Sequence, residues 1–291
     1  MQRVLALALA SAMSITLSAV EIVAHRGASF DAPENTLSAM KLAWAQKADA
    51  IETDLHLSKD GKIVIHHDFD TKRVGGVTNR IATQTWAELQ KLDVGGWKDP
   101  KFAGEKVPTF ESFLATVEKG KRIFIEIKVG PEILPELARV IAASGKAPEQ
   151  MPIIVFSFET AVAAKKKFPK HEVSWLHSWA KDKNTGEFPK IADLIAKAKA
   201  GGLDGLDLNQ GFPVDKDFVK QVKAAGLKLY VWTIDDPTTA KRWADAGVDG
   251  ITTNRPQWLR EQLAPSQVVE VSGDAFGNKN GPVKTGPSVW K

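Results

Sequence analysis

Cysteine is absent from this chain of 291 residues. That excludes disulfide staples, thiolate chemistry and acylation of a lipoprotein-type cysteine. A strong charge of either sign is also missing, since 39 Lys and Arg against 35 Asp and Glu leave only +4. The basic residues are scattered, and the longest run, Lys165-Lys166-Lys167, reads as a solvated helix face. Nothing resembles a nucleic-acid footprint, so no nucleic-acid partner is expected. Long apolar runs are confined to residues 4–17, which follow the short basic lead Met1-Gln2-Arg3 and end near Leu17-Ser18-Ala19. The run is short for a membrane span and matches a secretory signal peptide over 1–19, with a retained anchor as the alternative. The expected product is exported, to a periplasm or the medium, with no stable membrane anchor.

What remains is ample for a large core, with 43% hydrophobic residues. After residue 20, short β-like runs alternate with amphipathic stretches. Strands are predicted over 21–25, 50–55, 62–67, 122–127, 152–157, 172–176, 204–208, 227–233 and 248–252. Helices are predicted over 35–47, 84–91, 109–118, 132–144, 159–167, 188–200, 215–225, 237–246 and 256–262. Apolar strands separated by helices argue for a parallel sheet covered by helices, and repetition of that unit predicts an α/β fold, the (β/α)8 TIM barrel. Nine strands are one too many for such a barrel. Strands 50–55 and 62–67 are joined through Ser58-Lys59-Asp60-Gly61, too short for a right-handed crossover, and Asp-Gly is a hairpin signal. Strand 62–67 is therefore read as an antiparallel return strand that folds His67 back over residues 52–54. Residues 69–108, Gly-rich around one predicted helix, read as a small insertion over the barrel mouth. The single domain spans 20–264, and the Gly-, Pro- and Ser-rich stretch 265–291 reads as a flexible tail.

Ionisable residues stand at the ends of several apolar runs: His25-Arg26-Gly27, Glu52-Thr53-Asp54, His67-Asp68 and Glu126-Ile127-Lys128. Folding alone does not put charges there, because buried charges need a partner or a metal. Glu52 and Asp54, two apart, leave one face of their strand, as do Glu126 and Lys128. Three carboxylates at converging strand ends, Glu52, Asp54 and Glu126, suit a hard divalent cation, Mg2+ or Ca2+. Zinc, which would recruit His25, His56 or His67, is the alternative. His25 and His67 then remain for proton transfer. Arg26 and Lys128 offer fixed positive charge to a phosphate oxygen, or pair with the same carboxylates. His56 lies on the face of Asp54 with no role assigned, and His66, His171 and His177 read as structural.

These strings resemble the glycerophosphodiester phosphodiesterase family. The likeness starts at His25-Arg26-Gly27 and Pro33-Glu34-Asn35-Thr36, and runs through Ile51-Glu52-Thr53-Asp54, Ser58-Lys59-Asp60-Gly61 and His67-Asp68. It continues through residues 104–109, Glu126-Ile127-Lys128, Ser157-Phe158, Val231-Trp232-Thr233-Ile234-Asp235 and residues 247–256. The resemblance implies a TIM barrel, metal ligands Glu52, Asp54 and Glu126, catalytic His25 and His67, and phosphate contacts Arg26 and Lys128. It also implies a small-molecule glycerophosphodiester substrate, attacked by its own glycerol hydroxyl, with water then opening the cyclic phosphate to release glycerol 3-phosphate. Trp232 is the expected lining of the glycerol pocket, and Asn35 and Asp68 are expected to brace the catalytic loops. Two rivals stand beside this reading. One is a lysophospholipase D-like relative that releases the cyclic phosphate. The other is a non-catalytic exported protein that binds phosphodiesters.

Overall fold

The strands form where the apolar runs fall, because every second side chain points to a helix-covered face and the others into the barrel. The computed structural model describes residues 20–264. The signal segment expected over 1–19 and the tail expected over 265–291 lie outside the described residues. The strands are β1 (Glu21–Ala24), β2 (Ala50–Leu57), β3 (Ile63–Ile65), β4 (Arg122–Ile127), β5 (Ile153–Val155), β6 (Val173–His177), β7 (Gly205–Asn209), β8 (Lys228–Trp232) and β9 (Gly250–Thr253). All but β3 pair in parallel around a closed ring, in the order β1-β2-β4-β5-β6-β7-β8-β9, with β9 returning to β1. The fold is a (β/α)8 TIM barrel. β3 pairs antiparallel with the outer end of β2, Leu55 opposite Ile65 and Leu57 opposite Ile63, which is the predicted return hairpin.

The helices are α1 (Leu37–Ala45), α2 (Lys72–Gly75), α3 (Trp86–Leu89), α4 (Phe110–Leu114), α5 (Leu134–Ser144), α6 (Phe158–Lys167), α7 (Ile191–Ala200), α8 (Lys216–Ala224), α9 (Pro237–Ala246) and α10 (Pro256–Leu263). Several begin where side-chain caps dictate. Thr36 accepts from the Ala39 N–H and starts α1 two residues later than predicted, and Ser157, Asp215 and Asp236 cap α6, α8 and α9. The helix predicted over 188–200 begins only at Ile191, because Pro189 disfavours helical geometry at Phe188. The helices predicted over 84–91 and 109–118 contract to α3 and α4.

Outward-facing Ile51, Ile123, Ile125, Val155, Leu206, Leu229 and Ile251 pack against the helices in the main core. Inward-facing Val23, Ala50, Phe124, Ile154, Leu176 and Tyr230 fill the barrel below the site. The stretch predicted to hold one helix over 69–108 holds α2 and α3. It builds a small apolar cluster of its own, Val74, Ile81, Leu89, Val94 and Val107, on Val64 of β3. Lys98 Nζ ties it to the Ser29 carbonyl at 2.9 Å, beside the loop that follows β1. Among the described residues no helix is long and apolar enough to cross a membrane.

Candidate active site

The chain turns sharply after β1, and that turn sets two site residues. Arg26 and Gly27 have φ of 55° and 83°, in the left-handed region. A Cβ on Gly27 would lie 2.7 Å from the Ala39 carbonyl carbon, so only glycine fits. The strained Arg26 backbone instead gives its N–H to Glu52 Oε2 at 3.0 Å. Asn35, also left-handed at φ 57°, donates from Nδ2 to Asp54 Oδ2 at 2.7 Å. It therefore braces a carboxylate directly as well as the loop it sits on.

Glu52, Asp54 and Glu126 are buried and converge, each offering an oxygen, with these atoms within 4.8 Å of one another. Asp54 and Glu126 sit opposite each other across the β2–β4 pairing, which is why residues far apart in the chain meet. Lys128 Nζ lies 2.6 Å from Glu126 Oε1 and 3.4 Å from Asp54 Oδ1, and Arg26 Nε lies 3.4 Å from Asp54 Oδ2. Burial alone would raise the Asp54 carboxyl, but Lys128 and Arg26 outweigh it and hold Asp54 well below the usual range. Burial and the Asp54 charge push Glu126 up to about 7, and burial with the same neighbour pushes Glu52 upward. Among the described residues Glu52 Oε1 has no hydrogen-bond partner, and Asp54 Oδ1 has none beyond the Lys128 charge at 3.4 Å. Three carboxylates against two cations leave a net charge of −1, and orphaned buried oxygens are costly. The donor set is all oxygen and fits a hard divalent cation, which would satisfy those oxygens and turn the cluster net positive.

The two histidines flank this cluster with different supports. His25 Nδ1 is 2.7 Å from Asn254 Oδ1. Asn254 is itself oriented by Asp235, receiving the Ser29 hydroxyl at 2.9 Å and donating from Nδ2 to Asp235 Oδ2 at 2.6 Å. His67 Nδ1 is 2.7 Å from the Asp68 carboxylate. In both rings the Nδ1 contact leaves Nε2 as the second nitrogen, the arrangement that fixes tautomer and direction. Burial, with Arg26 nearby, lowers His25 to about 4, and burial lowers His67 as well. His25 is therefore neutral at physiological pH. Arg73 extends the support: its Nε donates to Asp68 at 2.7 Å, and its two terminal nitrogens clamp Glu34 at 2.8 and 2.7 Å. Glu34 also accepts from Arg26 at 2.9 Å. An unbroken polar chain thus runs from Asp54 through Arg26, Glu34, Arg73 and Asp68 to His67.

A cavity of about 120 Å³ at the carboxyl ends of the strands is lined by His25, Arg26, Glu52, His67, Glu126, Lys128 and, opposite them, Asp207 and Trp232. Larger grooves of about 740 and 620 Å³ lie elsewhere on the surface, but none contains the titratable cluster. The structure brings every sequence-predicted site residue to this one place, with Asp54 buried just behind the lining. Trp232 is half-buried, donates from Nε1 to the Asp207 carbonyl at 3.2 Å and meets the Phe156 ring edge-on at 5.6 Å. His56 is buried outside the cavity, with Nε2 at 3.3 Å from the His67 carbonyl, so it supports the backbone that carries His67. His66 is likewise tied to the Asp68 carbonyl at 2.9 Å, which leaves His67 as the histidine facing the cluster.

Sequence reasoning does not reach Asn254, Asp235, Glu34, Arg73 and Asp207 as contributors. Most have no local signal, because their partners lie far along the chain. Asp207 has one: it interrupts the apolar run Gly205-Leu206-Asp207-Leu208 at an inward-facing position.

The geometry has close counterparts. The glycerophosphoryl diester phosphodiesterase family model matches residues 25–258. A glycerophosphodiester phosphodiesterase of Caldanaerobacter subterraneus subsp. tengcongensis is 31% identical over 242 residues, covering 82% of this chain and 95% of its own. Another, of Bacillus subtilis, is 32% identical over 251 residues, covering 80% and 83%. Among solved structures, an Oleispira antarctica phosphodiesterase, determined in complex with the product sn-glycerol-3-phosphate, superposes with a TM-score of 0.76 at 26% identity, covering 85% of this chain and 98% of that one. With almost the whole barrel matched, the chain belongs to the glycerophosphoryl diester phosphodiesterase family.

Proposed function

We propose that this site hydrolyses glycerophosphodiesters with His25 and His67 as the proton-transfer pair and with Glu52, Asp54 and Glu126 holding Mg2+ or Ca2+. Family membership makes the chain a hydrolase that yields glycerol 3-phosphate and an alcohol. The single observation that carries the residue assignment is the meeting of two oriented histidines with a buried carboxylate triad in one cavity. The bound cation would supply a Lewis acid for the charge that develops on the phosphoryl oxygens. Arg26 and Lys128 add fixed positive charge beside it, with the arginine able to bind an oxygen pair in a fork.

The supports of the two histidines suggest their order of action. His25 is held by a neutral amide and is kept unprotonated, the state a base needs. His67 is backed by the Asp68 carboxylate, which stabilises an imidazolium. In the first step the glycerol 2-hydroxyl oxygen forms a bond to phosphorus and its proton passes to His25 Nε2. The bond from phosphorus to the leaving alcohol breaks, and that oxygen takes the Nε2 proton of His67, which enters the step as the imidazolium backed by Asp68. In the second step neutral His67 takes a proton from water as it attacks the cyclic phosphate, and His25 returns its proton to the ring oxygen. The cavity releases glycerol 3-phosphate with both histidines restored. Trp232 lines the wall on which the carbon skeleton would rest. Residues 1–19 support export of the mature chain.

The test couples glycerol 3-phosphate detection to purified protein supplied with glycerophosphocholine, with and without EDTA. Metal-dependent product is expected, and His25→Ala and His67→Ala should each lower turnover by about 100-fold or more. A glycerophosphoryl p-nitrophenol ester separates the roles, because nitrophenolate leaves without a proton. His67→Ala should release the first equivalent of nitrophenol at close to the wild-type rate, whereas His25→Ala should not. Equal loss in both variants would remove the assigned order.

A further inference from the structure

The wall of the cavity facing the triad carries a carboxylate that the proposed chemistry does not use. Asp207 is only 2% exposed, it lines the cavity, and its Oδ1 has no hydrogen-bond partner among the described residues. It stands on β7, which in the closed ring of eight parallel strands is diametrically opposite β2, the strand of Glu52 and Asp54. Its neighbours in register are Leu176 on β6 and Tyr230 on β8, whose hydroxyl accepts from Arg122 at 3.4 Å, and among the described residues no cation pairs with Asp207. Arg26 and Lys128 are already committed to Asp54 and Glu126 on the far side.

Buried polar groups without partners are rare because each costs free energy, so an orphan in a cavity marks the place of a ligand group. Charge decides which part of the substrate that is. A phosphodiester is anionic and belongs with Arg26, Lys128 and the cation, whereas a carboxyl repels it. A hydroxyl suits Asp207 in either protonation state, donating to a carboxylate or exchanging hydrogen bonds with a carboxylic acid. Depth decides which hydroxyl. Asp207 sits one inward-facing step below Asn209, which pairs with Trp232 at the rim, so it lies toward the closed end of the cavity. The leaving alcohol exits through the open mouth. The volume of about 120 Å³ equals that of roughly four waters, the scale of a three-carbon polyol.

We propose that Asp207 is the specificity-determining residue for the glycerol moiety, its side chain hydrogen-bonding the terminal hydroxyl of the glycerol so that the 2-hydroxyl is aligned for attack. This rests on the proposed function and deepens it. It makes Asp207 the reason the site takes glycerol esters and rejects simple diol esters. Sites built to hydrogen-bond a substrate hydroxyl reject the analogue that lacks it far more strongly than apolar pockets reject a missing methylene.

The test compares kcat and KM for glycerophosphocholine with those for the matching ester of propane-1,2-diol, which keeps the attacking 2-hydroxyl and lacks only the terminal one. Wild type should favour the glycerol ester by about 100-fold or more in kcat/KM. In Asp207→Leu that preference should fall to within about 10-fold, mainly through a raised KM for the glycerol ester, while Asp207→Asn, which still hydrogen-bonds, should keep most of it. If Asp207→Leu does not fold, Asp207→Ala is read in the same way. Calorimetric binding of glycerol 3-phosphate against its 1-deoxy analogue, propane-1,2-diol 1-phosphate, to the wild-type holoenzyme gives a measure free of any substitution, and a loss of about 100-fold is expected. Equal use of both esters by wild type, or preference undiminished in the leucine and alanine variants, overturns the assignment. Absence of turnover by wild type on any glycerophosphodiester would instead overturn the proposed function, so the two failures are told apart.

Discussion

Removing the cation should steepen the loss of the protein's stability as pH rises. In the metal-free site, burial and Asp54 push Glu126 up to about 7, against 4.5 for an unfolded glutamate. The folded state therefore prefers the protonated acid. Below about pH 4.5 both states carry the proton and the contribution to stability is complete. Between about pH 4.5 and 7 the unfolded chain releases its proton while the folded one keeps it, so stability falls as pH rises. Above about pH 7 the loss is complete. A gap of about 2.5 pH units at 1.36 kcal/mol each is about 3 kcal/mol, and at about 2–4 °C per kcal/mol for a chain of this size the melting temperature should drop by about 6–12 °C.

A bound cation takes the place of that proton and removes the slope. Glu52, raised by burial and by Asp54, adds to the effect with the same sign, whereas Asp207, raised by burial on the opposite wall, contributes alike with or without metal. His25 and His56, both lowered to about 4 mainly by burial, cost stability as pH falls below 6.5, the opposite sign. Glu21, raised to about 7 by burial, is paired with Arg122 at the other end of the barrel and contributes alike with or without metal. The quantity to measure is thus the difference in melting temperature between millimolar Mg2+ or Ca2+ and EDTA. By differential scanning calorimetry that difference should widen from about pH 5 to about pH 8. Glu126→Gln, which cannot ionise, should make the EDTA curve less steep, with Glu52, Glu21 and Asp207 supplying what slope remains. Two curves that run parallel across this range would refute the reasoning, and so would unchanged melting on adding metal to an active enzyme.

Three further outcomes are expected. Asp68→Asn can present an amide N–H to His67 Nδ1 in place of an acceptor, inverting the tautomer, so kcat should fall by about 10–100-fold with the melting temperature nearly kept; an unchanged kcat would deny Asp68 its orienting role. Gly27→Ala meets both a positive φ and a backbone carbon at 2.7 Å, so urea unfolding should show a loss of about 2 kcal/mol or more, and a loss under half of that would contradict the close approach. Trp232→Ala removes a wall of the cavity without touching the histidines or the triad, so KM should rise by about 10-fold or more while kcat changes less; an effect on kcat alone would place the ring outside the binding surface.

The parts legible in the sequence share a physical property: they are written locally. Strand β4 can be read because Ile123-Phe124-Ile125 is an apolar β-branched and aromatic run, and the β2–β3 hairpin because a four-residue link with Asp-Gly admits no crossover. The metal-ligand candidates can be read because a two-residue spacing on one strand fixes a shared face. The supports cannot. Arg73 reaches Glu34 across 39 positions and His25 reaches Asn254 across 229, and nothing in either neighbourhood announces the partner. Helix starts depart from the apolar period where a cap or a proline outweighs it, as at Thr36 and Pro189.

Glu52, Asp54, Glu126 and Asp207 occupy inward-facing positions that a barrel built only for stability would fill with Val, Ile or Leu, as Ile154 and Leu176 do one strand away. Each buries a carboxyl, and burial pushes three of the four upward; only Asp54, held between Lys128, Arg26 and Asn35, is stabilised as a charge. The native fold thus carries an electrostatic cost concentrated in one layer. It can be offset by protons, by a cation on one wall and by a hydroxyl-bearing ligand on the other. That division explains why the metal wall is the more legible in the sequence. On the metal wall the carboxylates come as paired motifs with their own counter-charges, whereas Asp207, alone on the opposite wall, has a partner only when substrate arrives.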